Sequence, residues 1–518
     1  MITALFRLCL AIAALVGLAA PAAAEWHKAE SENFVIYSDS SAADIREFAQ
    51  RLERYHVAMT KLTGFTPPPP SPSNRVTVYA VGSDRTLKKL YGDTGSSVAG
   101  FYIPRAGSSV AFVPNVRLRG SETDFTMIVL LHEYAHHFTI SANPYPLPRW
   151  MTEGMAEFFA AAKFAPDGAM DIGLPANHRV GELNFADKLS IRELLDYDRY
   201  AAGRSRSDAF YGQSWLLFHY VFFNPERGRQ YSEYVTRFLR GAPSLEAAEA
   251  AFGDLSKLEA ELKNYQRTRR IPAKRFSADL LQIGAINVTP LSEGMGAMMD
   301  VVLQSRRGVD RDKALAILPE ARAVAARYPE DAGVLAALAE AEYDAGNDAD
   351  AIAAADGAIA RDPQQLNAYV QKGYALFRQA GDADEKAAAY EAAMKPFEAL
   401  NAIEANHPLP LIYYYRSFAE RGSAPDNTAR AALRRASELA PFDQALRLNL
   451  ALMQIGERQH TQARATLAPL AADPHGSGRS ARAKQLMTLL EQTPDGTRLD
   501  ASALQAQMEA PDAEDTES

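Results

Sequence analysis

The stretch His132-Glu133-Tyr134-Ala135-His136, followed by Trp150-Met151-Thr152-Glu153-Gly154-Met155-Ala156-Glu157, decides how the chain is read. Residues four apart on a helix project from one face, so His132 and His136 can hold one metal ion through two imidazoles. Glu133 is turned off that face and stands beside the ion. There its carboxylate can take a proton from a metal-bound water whose pKa zinc has lowered, which assigns it as general base.

Helices are expected at both places. Phe125 and the run Ile128, Val129, Leu130 and Leu131 predict an apolar helix around the histidines, and Ser121 with Asp124 three residues later resembles an N-terminal capping box. A second helix is expected to start near Pro148 and to carry Trp150, Met151, Met155, Phe158 and Phe159. Glu153 and Glu157 lie four apart on it. One can be the third protein ligand, and the other can accept the outer N–H of a zinc-bound histidine and so fix its tautomer. We take Glu153 as the ligand and Glu157 as the support. Two histidines and a glutamate inside apolar helices are costly to bury without a shared partner. Zinc, one ion per chain, follows from the ligand types, which other divalent ions can also satisfy.

Together these residues resemble the gluzincin peptidases, and within them the bacterial peptidase-MA-like families, whose HExxH is followed by a helix of the form Trp-x-x-Glu-Gly-x-Ala-Glu. The resemblance covers roughly residues 26–270. It implies that the glutamate before the glycine, Glu153, is the metal ligand, in agreement with the reading above. The Gly-x-Met-Glu-Asn segment with which aminopeptidases of that group grip a free amino terminus is missing, so endopeptidase-like cleavage is expected. The resemblance also implies a donor for the oxyanion of the tetrahedral intermediate. Tyr211, in Phe210-Tyr211-Gly212-Gln213-Ser214-Trp215, is the candidate, with His219 and His178 as weaker ones that read otherwise as structural or surface histidines. His137 is rotated off the ligand face and is expected to be a neighbour of the site. Upstream, residues 33–38, 75–80 and 107–114 read as strands of a small mixed sheet, with a helix near 42–62. Gluzincins align an extended substrate on an edge strand, which here would be residues 108–113.

Beyond about residue 310 the sequence becomes alanine-rich and helical. Prolines at 329 and 363, then at 408, 441 and 474, recur at roughly the 34-residue tetratricopeptide (TPR) period. In the clearest unit, Leu338, Ala339, Gly346, Ala351, Ala355, Ala358 and Pro363 resemble the repeat pattern, with small residues where two helices must approach closely. About four degenerate units are expected. They would present a groove for a protein or peptide partner.

The fold class is therefore an α+β gluzincin-like metallopeptidase domain followed by an all-α TPR solenoid. The expected divisions are a signal peptide at 1–24, the peptidase domain at 25–271, a linker at 272–312, the repeats at 313–490 and a disordered acidic tail at 491–518. The leader has Arg7, an apolar run from 8 to 20 and Ala22-Ala23-Ala24 before Glu25, and it predicts export to the periplasm or outside the cell. The one cysteine, Cys9, lies in that leader, so no disulfide is expected in the mature chain. No later run is long enough to span a membrane. With 518 residues, 47% of them hydrophobic and a net charge of −9, the chain has room for more than one core, and its acidity argues against nucleic acid as a partner. Two functions follow. One is an exported zinc metallopeptidase with a TPR module for recognition; the alternative is a TPR adaptor whose peptidase-like domain is proteolytically inactive.

Overall fold

The computed structural model describes residues 25–92, 98–116, 124–143, 145–200, 208–473 and 478–499. The leader, Ser121 and Pro474 lie outside these residues, as does most of the acidic tail.

Short runs of β-branched and aromatic residues build the sheet. Its six strands lie in the order β4 (Phe101–Ile103), β5 (Val110–Val113), β3 (Val76–Ala80), β2 (Phe34–Ser38), β1 (His27–Glu30) and β9 (Asn287–Pro290). β2, β3 and β5 run parallel, and the outer pairings are antiparallel, so the sheet is mixed. Alternation along each strand splits its side chains between two cores. Ile36, Val78 and Ala111 face one; Tyr79, Val110 and Phe112 face the other. The first core holds α1 (Ala42–Thr63), which is capped by Ser41 at its start and closed by Gly64 with φ 71°. The second holds α2 (Asp84–Tyr91), packed with Met299 and Leu303 from much later in the chain.

His132 to His136 sit on α3 (Phe125–Ala142), beneath the first face of the sheet. Asp124 is itself the cap of this helix, accepting from Met127 N at 2.8 Å. That differs from the expected box, in which Asp124 would have answered a cap at Ser121. Leu131 and Phe138 are fully buried on α3, and each such side chain stabilises the packing by about 1.5–3 kcal/mol. Tyr55 of α1 donates to Leu131 O at 3.0 Å, and His56 pairs with Tyr134 at 2.7 Å, so two side chains of α1 grip α3. α4 (Arg149–Ala160) follows with Pro148 at its N-cap. α5 (Phe210–Phe223) packs across α4 at Gly154. A Cβ on Gly154 would collide with the backbone carbonyl of Ser214, which explains the glycine between Glu153 and Glu157. A small antiparallel sheet of β6 (Ala162–Phe164), β7 (Met170–Ile172) and β8 (Lys274–Phe276) lies beyond α4.

Residues 272–312 are more than a linker. β8 completes the small sheet, β9 extends the large one by pairing with β1, and α6 (Glu293–Arg307) buries Met299 and Leu303 against the second sheet face. α6 is also the first member of a long all-helical, repeat-like region, so helix pairing begins at Glu293 instead of at 313. It pairs with Arg311–Arg327, and four further helix pairs follow from Ala332–Asp344 to His460–Ala471, before the closing helix Gly478–Glu491. Ala336, Ala339, Ala354, Ala355, Ala358 and Ala368 form one buried cluster where these helices meet closely. Pro329, Pro363 and Pro441 fall between helices, and Pro408 is the first residue of one. Residues 491–499, expected to be disordered, instead fold back on the preceding hairpin. Asp495 accepts from Thr461 N at 2.8 Å, and Gly496 N donates to Arg458 O at 2.9 Å.

The helical region is bolted to the sheet half. Ser73 donates to Glu404 from both its N and its Oγ, at 3.1 and 2.7 Å, and Asn74 Nδ2 donates to Leu439 O at 3.1 Å. Ala106 N donates to Asp443 at 2.9 Å, and Gly107, at φ 73°, packs on His407. The turn between β4 and β5 is thus held among the repeat helices. β5 is internal, hydrogen-bonded to β3 and β4, so the expected edge strand at 108–113 is not an edge. The edge on this side of the sheet is β4, too short a run to stand out in the sequence.

Candidate metal centre

His132, His136 and Glu153 converge. Their three donor atoms lie within 4.8 Å of one another, all on buried residues. His132 Nε2 is 3.1 Å from His136 Nε2 and 3.2 Å from Glu153 Oε2, and His136 Nε2 is 3.5 Å from the same oxygen. Two donors each about 2.0–2.1 Å from one tetrahedral ion stand roughly 3.4 Å apart. The spacing, the burial and the two-imidazole, one-carboxylate chemistry therefore fit a divalent ion such as zinc. The histidines come from consecutive turns of α3, and Glu153 comes from α4, which Gly154 lets sit deep against α5.

Glu157 stands one turn further along α4. Its Oε1 lies 3.2 Å from His132 Nδ1, on the side of the ring away from the ligand cluster. Burial works against both charges of this pair. For His132, burial would lower the pKa, yet the Glu153 and Glu157 carboxylates outweigh it and raise the group to about 10. Burial would likewise raise Glu157, but His132, His178 and Arg179 hold its carboxyl well below the usual range.

Glu133 is half-buried on α3 and faces the β4 side. Burial raises the Tyr102 phenol of that strand, and the Glu133 and Asp443 carboxylates raise it further. Tyr211, at the start of α5, has its ring centroid 6.4 Å from that of His132. Burial pushes its phenol up, and the Glu153 carboxylate adds to the shift. A phenol so displaced stays protonated and can donate a hydrogen bond.

The other histidines take three different places. His219 is fully buried and pairs with Gly173 O and Tyr265 Oη, each at 2.9 Å, a structural role. His137 pairs with Tyr102 at 2.6 Å; burial depresses it to about 3, helped by nearby His56. His178, a weaker oxyanion candidate read otherwise as a structural or surface histidine, meets Glu157, its Nε2 2.6 Å from Oε2. Sequence reasoning misses Arg179. Its Nε donates to Glu157 Oε1 at 3.0 Å, Nη2 reaches the same oxygen, and its guanidinium lies 4.7 Å from the centre of the Tyr211 ring. Glu182 is missed as well; it accepts from Gly212 N at 2.8 Å and pairs with Arg179. No spacing signal marks these residues, because Arg179 ends a short helical turn after β7 and Glu182 sits in the short helix that follows, and they meet Glu157 and Gly212 only through the fold.

A family model described as "Protein of unknown function (DUF1570)" matches residues 130–239, from α3 past Tyr211, which is less than half of the chain. No curated protein matches. Among solved structures, a thermophilic TPR protein in Thermus thermophilus is similar at 18% identity and a TM-score of 0.33, over 38% of this chain and 99% of that one. The MamA RS-1 ArsTM double mutant is similar at 16% identity and a TM-score of 0.26, over 39% and 98%. Both scores are too low for the likeness to bear on fold or function.

Proposed function

We propose that this chain is an exported, zinc-dependent hydrolase of peptide bonds, in the manner of a gluzincin-like endopeptidase, whose helical repeats act as a TPR-type protein-recognition module. The observation that carries the proposal is the buried convergence of His132, His136 and Glu153. A divalent ion held there supplies a Lewis acid that acidifies water and polarises a carbonyl. Around it, Glu157 would hold the Nδ1 proton of His132, leaving Nε2 to give up its own proton and bind the ion. Glu133 takes the proton of the attacking water and returns it to the leaving amine. Tyr211 donates a hydrogen bond to the oxyanion. An extended peptide would lie along β4, whose outer edge pairs with no strand among the described residues and whose Tyr102 neighbours Glu133. Export rests on the leader motif, and no helix among the described residues is long and apolar enough to cross a membrane.

A second reading, a TPR adaptor with an inactive peptidase-like half, draws on the long helical region. Metal content by mass spectrometry, on purified protein beside a His136→Ala variant, tests the proposal. About one zinc per chain, lost in the variant, is expected; a folded wild type that binds no metal after zinc reconstitution would leave only the adaptor.

A further inference from the structure

We infer that Arg179, assisted by His178, is a positioning residue for the metal centre that acts through Glu157 to fix the imidazole of His132. The inference rests on the metal-hydrolase reading above. Glu157 is 1% exposed, and its two oxygens meet three donors from two elements. Oε1 faces His132 Nδ1 at 3.2 Å and accepts from Arg179 Nε at 3.0 Å, and also from Nη2; Oε2 pairs with His178 Nε2 at 2.6 Å. A carboxylate held by a single donor can turn about its last bond. Gripped through both oxygens by separate donors, it cannot, and the ring plane of His132 is fixed with it. Nε2 then stays aimed at the point shared with His136 and Glu153.

Arg179 reaches further. Its Nη1 pairs with Glu182 at 3.3 Å, Glu182 accepts from Gly212 N, and the guanidinium plane covers the Tyr211 ring. One cation therefore holds both the carboxylate behind a metal ligand and the residue proposed to bind the oxyanion. The flat, five-donor fork of arginine suits this task; the single point charge of lysine cannot reach Glu157, Glu182 and the ring together.

The test is zinc affinity measured by chelator competition on the full chain, for wild type, Arg179→Met, Arg179→Lys, Glu157→Gln and the Arg179→Met/Glu157→Gln double variant. Arg179→Met is expected to weaken zinc binding about 10- to 100-fold, and lysine to restore part of it. In the Glu157→Gln background the arginine substitution should add little, because it acts through that carboxylate. Wild-type affinity in Arg179→Met would overturn the inference. So would a full-sized loss in the Glu157→Gln background, which would mark the arginine as a general structural brace. Should Arg179→Met fail to fold, as judged by thermal melting of the zinc-free proteins, His178→Gln and Arg179→Lys carry the same comparison. A wild type that binds no zinc overturns the metal reading itself, a result distinct from equal binding by wild type and variant.

Discussion

The ring of Phe442, in a turn of the helical repeats, lies against His137, with centroids 4.6 Å apart. His137 follows His136 of the candidate metal centre in α3 and also pairs with Tyr102 of the edge strand β4. The repeats therefore touch the helix that carries His132 and His136 and, through His137, the strand proposed to align a substrate. Phe442→Ala should lower the stability of the full chain by about 3–5 kcal/mol, since it removes a buried aromatic. Denaturant unfolding checks this, and an unchanged midpoint would mean that the interface does not form in solution.

Glu133 stands off the ligand face of α3 and is half-buried, so its loss should leave the metal donors intact. Glu133→Gln is expected to retain zinc while peptide hydrolysis falls by at least about 100-fold. Metal analysis and a protein-digestion assay on the same sample separate the two effects. Undiminished cleavage would remove Glu133 as the base.

Gly154 has no room for a methyl group because the backbone of α5 crosses it at Ser214. Gly154→Ala should destabilise the chain by about 1–3 kcal/mol or more through overpacking, despite the better helix propensity of alanine. It should also disturb Glu153, its neighbour in the cluster. A thermal melt with a raised Tm would contradict the close helix crossing.

His407 lies in the interface and is 2% exposed, with its Nδ1 accepting from Leu409 N. Burial lowers it to about 4, against a smaller opposing pull from Glu404. A histidine whose folded pKa is depressed favours the native state above its unfolded value of about 6.5, and that contribution is lost as pH falls toward 4. Stability measured from pH 7 down to pH 4 should therefore fall less steeply in His407→Gln than in wild type. Parallel curves would show that His407 does not carry the effect.

Several parts of the molecule were visible in local pattern. The four-residue spacings of His132 with His136 and of Glu153 with Glu157 are helical periods, and a short apolar run of β-branched and aromatic residues announces β2 and β3. Other parts had no local signature. β4 is three residues long. β9 has mostly exposed side chains and is made a strand by pairing with β1 across more than half the chain. Arg179 and His178 reach Glu157 from a short helical turn, where nothing in their spacing points to α4.

By itself, then, the sequence determined the helices and which face of each carries donors, because side-chain direction in a helix follows from backbone geometry alone. It also determined the change of texture to paired helices, through the recurrence of small residues and turn prolines. Only the tertiary structure decided that His132, His136 and Glu153 share one point, that β4 and not β5 is the edge, and that Arg179 grips Glu157. These depend on how separate elements cross, which non-local packing sets: the glycine contact of α4 with α5 and the anchoring of the β4–β5 turn among the repeats.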